Sequence, residues 1–223
     1  MPRNRKQATK RVKPRIFIFC EGAKTEPEYL RAYINTFHPT CARLKNAERP
    51  VQIEKTLKNT PKELVEVAIK FARNLEFKGD CVWVMYDREA EARYSDALHQ
   101  QAWLRAEKQG IRVAISNVCF EFWLLLHFRY SNICTANCDG VINSKIFKDA
   151  FKSIGSSDYQ KGGQDIFKAL MTAEYIANAK RNAQRVNEQT KLSAPTENAS
   201  LPYLLNPYTN VYEILDAIDR VAE

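Results

Sequence analysis

Three acidic residues close three apolar runs, and that coincidence is where chemistry would reside. The runs are Arg15-IFIFC-Glu21, Cys81-VWVMY-Asp87 and Gly110-IRVAISNVCF-Glu121. The first two read as buried parallel strands, apolar without alternation and rich in β-branched and aromatic residues. Carboxylates at the carboxyl ends of neighbouring parallel strands lie in the crevice where open α/β sheets bind ligands. Strands about 4.8 Å apart bring such groups within reach of one hard cation, which takes oxygen ligands at about 2.1 Å if it is Mg2+. Metal-dependent chemistry on phosphate is the expectation.

Each residue also has a plainer reading. A carboxylate at Glu21 is costly to bury unpartnered, so it faces solvent at the strand tip, caps the next helix or coordinates a cation. Asp87 and Glu89, at i and i+2, face one side if the chain stays extended, which suits a second or shared metal position. Arg88 would then point away, or towards a phosphate. Glu91 serves equally as a first-turn dipole partner of the following helix. Glu121 stands in Cys119-FEFWLL-Leu126, where seven of eight residues are apolar, so it needs a ligated cation or an Arg or Lys partner. Lys24 is either a phosphate or carboxylate contact or a solvated lysine. His127 reads as a core or capping histidine.

The elements that must position these groups follow in order. Thr25 reads as the N-cap of a helix to about Phe37, with Glu28 completing a capping box. Val51-QIEKTL is a more exposed strand. Thr60-Pro61-Lys62-Glu63 starts a helix running to Phe77, and a helix from Glu91 to Gln109 ends at Gly110. Ile111–Ser116 is a strand, and Phe120-EFWLLLHF, apolar all round, is a buried helix. Helices near 144–153 and 164–189 and a last one after Asn206-Pro207 complete the chain. This order calls for an α/β fold: a mainly parallel sheet of about four strands flanked by helices, with a helical C-terminal extension. The expected divisions are a basic arm at 1–14 read as disordered, a core at 15–130 and the extension at 131–223, packed on the core.

With 223 residues, 45% of them hydrophobic, the chain can bury a full core. No apolar run approaches the length of a membrane span, and the basic start lacks the apolar stretch of a signal peptide; a cytoplasmic protein is expected. Net charge is +8, and seven basic side chains fall within residues 1–15, leaving 27 basic against 26 acidic elsewhere. Such an arm suits phosphate backbones through counterion release or acts as a solubilising tail. Of the six cysteines, Cys20, Cys81 and Cys119 sit in apolar runs as small hydrophobes. Cys134 and Cys138, with His127 and Cys119 nearby, have weak zinc-like spacing, and buried reduced thiols are the expectation.

The turn Glu21-GAKTE after a strand, with Asp87-Arg88-Glu89 after another, resembles a Toprim domain, the Mg2+-binding fold of type IA topoisomerases, primases and OLD-type nucleases. Ser116-NVCFEFWLLLHF, Tyr159-QKGGQDIF and Asn206-PYTNVYEIL, in that order, are similar to the RloB-like (AbiLii-type) family of phage-defence proteins. The resemblance covers about Pro14 to Val221. It implies a Toprim-like nuclease acting with a partner ATPase of the ABC or OLD type. By motif, Glu21 matches the Toprim glutamate and Asp87 and Glu89 its D-x-D pair, with Glu89 departing from the commoner Asp. Lys161 is the counterpart of the late lysine of OLD-type sites, and Glu121 matches the family's own wording.

Glu21, Asp87, Glu89 and Glu121 would then hold one or two Mg2+ (or Mn2+) ions for phosphodiester hydrolysis of DNA or RNA. Lys24 or Lys161 would offset transition-state charge, and Glu21 is also a candidate acid or base. The alternative is a catalytically inert subunit that binds nucleic acid or the ATPase. A receiver-like phosphoacceptor at Asp87 fits less well, because Glu21 is followed by Gly22 rather than a second acid. The apolar C-terminal helices leave room for a homodimer.

Overall fold

The computed structural model describes residues 13–45, 48–58, 60–156 and 159–222. Residues 1–12, most of the basic arm, lie outside the described residues. One sheet contains β1 (Ile16–Cys20), β2 (Val51–Glu54), β3 (Cys81–Asp87), β4 (Arg112–Asn117) and β5 (Tyr208–Thr209), in the order β2-β1-β3-β4-β5. The first four strands run parallel, as expected, and β5 adds an antiparallel edge to β4.

Both faces of the sheet are covered, which is why its central strands are apolar without alternation. Ile16, Ile18, Cys20, Trp83 and Met85 face a core shared with α1 (Thr25–Phe37), α5 (Phe120–Phe128), α9 (Ala173–Ser193) and α10 (Val211–Ala222). Phe17, Phe19, Val82, Val84 and Tyr86 face a second core under α3 (Pro61–Ala72) and α4 (Asp96–Lys108). The expected buried helix is α5, whose residues Phe120 to His127 are all buried. His127 is a core histidine: its Nδ1–H donates to the Trp123 carbonyl (3.1 Å) and its Nε2 accepts from the Tyr29 hydroxyl (2.9 Å).

Local starts and stops differ from expectation for identifiable reasons. Thr60 caps α3 by accepting the Glu63 N–H, as predicted, but α3 stops at Ala72. Thr25 is not an N-cap; Lys24 holds that position without a side-chain bond, and Glu28 pairs with Arg31 instead. The helix expected from Glu91 starts at Asp96, because the Arg88 guanidinium donates to the Tyr94 carbonyl (2.8 Å) and holds the preceding turn. The stretch 164–189 is two helices, α8 (Gln164–Leu170) and α9, the second capped by Thr172.

The C-terminal segment is woven into the core. α9 packs along α5, and α10 packs on β1, β2 and β4. The Asn210 side chain joins the ends of this arrangement, accepting from the Ile115 N–H (2.8 Å) and donating to the Val113 carbonyl (2.9 Å). Among the described residues no helix is long and apolar enough to cross a membrane.

Candidate active site

The sheet register carries three carboxylates to one place. Cys20 pairs with Met85, and Asp87 with Ser116, so the tips of β1, β3 and β4 are level. One step beyond β1, the Glu21 N–H donates to the Met85 carbonyl (2.9 Å), and the Asp87 N–H donates to Glu21 Oε2 (3.1 Å). Glu121 enters from the first turn of α5. Glu21, Asp87, Glu89, Glu121 and Lys161 line one cleft of about 190 Å3.

Glu26 lines the same cleft and was not singled out from the sequence. It is 6% exposed in the first turn of α1. Its carboxylate lies so close over Gly22 that a Cβ there would stand 2.0 Å from Oε2. The sequence signal is the acid five residues after Glu21, beyond a glycine with no room for a side chain.

Glu89 reaches the cleft by a different path from the one its spacing suggested. Its φ of +57° breaks the extended chain, a conformation disfavoured for residues with a Cβ. The Glu89 N–H donates to the Val118 carbonyl (2.9 Å), and Arg93 holds its carboxylate at 2.7 Å. Arg88 points away: its guanidinium donates to the Tyr203 carbonyl (2.9 Å) and pairs with Asp96. Lys24 is exposed and does not line the cleft. The cation partner anticipated for Glu121 is Lys161, 3.4 Å from Oε1 and more than half exposed; the Tyr159 hydroxyl donates to the same oxygen (3.0 Å).

The electrostatics divide the acids into two groups. Burial pushes the Glu21 carboxyl up to about 7; the Asp87 N–H opposes this, while Glu26 and Glu89 add to it. Asp87 is raised well above the carboxylate range by burial and then by Glu26, Glu121 and Glu21, despite accepting from the Phe120 N–H. Glu26 is raised by burial and then by Glu121, against the pull of its own N–H and that of Gly22. Glu121 goes the other way. Burial opposes its ionisation, but Lys161 and the thiols of Cys138 and Cys119 hold its carboxyl below the usual range.

Five carboxylates therefore share the cleft with two cationic side chains, Lys161 and Arg93, each already paired with one acid. Oxygen donors in negative excess fit a hard divalent cation such as Mg2+ or Mn2+. No three of the carboxylates close to within 4.8 Å of one another among the described residues; the trio that does is Cys119, Glu121 and Cys138, which is able to hold a metal ion. The six cysteines are free and Cys20 and Cys119 are buried, as expected; Cys134 departs from expectation by being exposed, and Cys138, half-buried, meets Cys119 and Glu121.

Fold and cleft define a three-layer α/β protein with an acidic site at the carboxyl ends of its parallel strands. Residues 16–218 match the RloB-like protein family, and the chain belongs to that family. Comparison with curated proteins and with solved structures returns no match.

Proposed function

We propose that this protein is a Toprim-like, metal-dependent nuclease that hydrolyses phosphodiester bonds, acting in the cytoplasm with a partner ATPase of the ABC or OLD type in anti-phage (abortive infection) defence. The observation that carries the reading is the charge deficit of the cleft: burial and mutual repulsion raise Glu21, Glu26 and Asp87 together. The defence setting is what the resemblance of the motifs implies, and membership of the RloB-like family agrees with that resemblance.

A divalent cation bound among these oxygens would supply Lewis-acid stabilisation and an acidified water. Glu21, at the tip of β1 beside the Asp87 N–H, would hold the cation or, where its oxygens are left unligated, pass a proton. Asp87, the last residue of β3, would hold the cation from the centre of the sheet edge. Lys161, on the exposed side of Glu121, offers a positive charge to an entering phosphate. The basic residues of the N-terminal 15 suit a nucleic-acid backbone.

The test is cleavage of plasmid DNA, single-stranded DNA and total tRNA with Mg2+ or Mn2+, by wild type and Asp87→Ala, with and without the partner ATPase. Cleavage by wild type alone supports the reading and identifies the substrate. A protein that shifts nucleic acid in a gel, yet neither binds metal nor cleaves with the ATPase present, is instead an inert binding subunit.

A further inference from the structure

A second kind of donor adjoins the carboxylate cleft. Cys119 holds the N-cap of α5, Glu121 lies in that helix's first turn, and Cys138 opens α6 (Cys138–Ile142). The loop between the two helices folds back so that the Cys138 thiol donates to Glu121 Oε2 at 3.1 Å. Cys119 Sγ lies within 4.8 Å of both Cys138 Sγ and a Glu121 carboxylate oxygen. Both Cys119 and Glu121 are 1% exposed, whereas Cys138 is partly buried.

These spacings fit a borderline-soft ion. Zn2+ takes thiolate sulfur at about 2.3 Å and carboxylate oxygen at about 2.1 Å, which in a tetrahedron puts ligand atoms roughly 3.5–3.8 Å apart. The three donor atoms here already lie within 4.8 Å of one another. Two sulfurs and one oxygen also discriminate against Mg2+, which prefers oxygen alone. Lys161 Nζ stands 3.8 Å from Cys138 Sγ and 3.4 Å from Glu121 Oε1, so positive charge is already drawn to this spot. Its side chain is 59% exposed and free to swing outward when an ion enters.

The geometry points to a Zn2+-class site formed by Cys119 Sγ, Cys138 Sγ and a Glu121 carboxylate oxygen, beside the carboxylate cleft and sharing Glu121 with it. Binding sends both thiol protons to solvent, and the Lys161 ammonium gives up its place. Three protein ligands leave the fourth tetrahedral position to water. Because Glu121 lines the cleft as well, the two sites compete for one carboxylate, and Zn2+ weakens Mn2+ binding. That competition rests on the reading of the cleft as a hard-cation site; the thiolate site does not.

Co2+ serves as the probe for Zn2+ on the purified full chain, read by the near-ultraviolet thiolate-to-cobalt charge-transfer band. The band should saturate at one equivalent, vanish when Zn2+ is added, disappear in Cys138→Ser and persist in Cys134→Ser, with circular dichroism melts confirming that both variants fold. No band in wild type, or a band that survives Cys138→Ser, overturns the site. Mn2+ affinity is measured in parallel by electron paramagnetic resonance. A tenfold or greater loss with one equivalent of Zn2+ that is absent in Cys138→Ser supports the shared carboxylate, because Zn2+ entering the cleft directly would act on both proteins alike; a loss equal in the two, or none, overturns the sharing. A cobalt band in a chain with no Mn2+ binding refutes the hard-cation reading and leaves the thiolate site standing.

Discussion

The carboxylate of Glu26 occupies the space that a side chain on Gly22 would need, with Oε2 only 2.0 Å from where a Cβ would stand. Gly22 thus lets Glu26 sit over it by close approach rather than by backbone conformation. Gly22→Ala should displace Glu26 from the cleft. Mn2+ affinity is expected to fall by about 10–100-fold while the fold persists, checked by calorimetric titration beside a thermal melt.

Asp87 is raised well above its ordinary range by burial and by Glu26, Glu121 and Glu21, so it opposes folding when no cation is present. Asp87→Asn removes that penalty at the same size. The metal-free variant should be more stable than wild type by roughly 1 kcal/mol, and cleavage should fall by about 100-fold, the usual trade between stability and function. Denaturant melts in chelator and cleavage assays in Mn2+ read the two effects.

Glu21 contributes one defined part of the pH dependence. Its folded carboxyl is raised to about 7 from 4.5, so its contribution to stability is fully present below about pH 4.5 and is lost as pH rises to about 7. At about 1.36 kcal/mol per pH unit, the loss is at most about 3.4 kcal/mol. His127, lowered by burial from 6.5 to about 4, acts with the opposite sign and loses stability as pH falls from 6.5 towards 4. A bare pH profile mixes these two with Asp87 and Glu26, raised like Glu21, and with His99, lowered by burial to about 4 like His127. The stabilisation conferred by Mn2+ isolates the carboxylates, and the Mn2+-induced rise in melting temperature should grow between pH 5 and pH 7.5.

Lys161 is the counter-charge of Glu121, at 3.4 Å. In Lys161→Met, Glu121 is left without its cation, so Mn2+ should bind more tightly while cleavage drops by about 100-fold through loss of transition-state charge stabilisation. Titration and single-turnover cleavage would move in opposite directions. A purely structural lysine would lower both together.

Tyr29 and His127 test the core without touching the cleft. Tyr29→Phe leaves the buried His127 Nε2 without its 2.9 Å partner and should cost about 1–3 kcal/mol. Urea melts should show the loss, with Mn2+ affinity unchanged.

The parallel sheet and the meeting of Glu21, Asp87 and Glu121 could be read from the chain, because strands buried on both faces are apolar throughout and their acids must stand at the tips. What escaped depends on distant contacts. Glu26 looks in sequence like any first-turn acid, and only packing buries it over Gly22. The two-residue β5 is too short to show a period, and Asn210 secures it to β4 through its side chain. Residues 91–95 are helical by composition, but the buried Arg88 claims the Tyr94 carbonyl. Lys161 was singled out by resemblance alone, since 40 residues separate it from Glu121. Cys138 meets Cys119 only through the fold of the loop between α5 and α6.

The central claim is that Glu21, Glu26 and Asp87, which line one cleft without closing to ligand spacing, would draw together on a divalent cation. Electron paramagnetic resonance of Mn2+ titrated into purified wild type and Asp87→Asn tests it most directly, without a substrate or a partner ATPase. The account predicts saturable Mn2+ binding by wild type, displaced by excess Mg2+, and at least tenfold weaker binding in Asp87→Asn. Absence of Mn2+ binding by folded wild type, or equal binding by the variant, would contradict it.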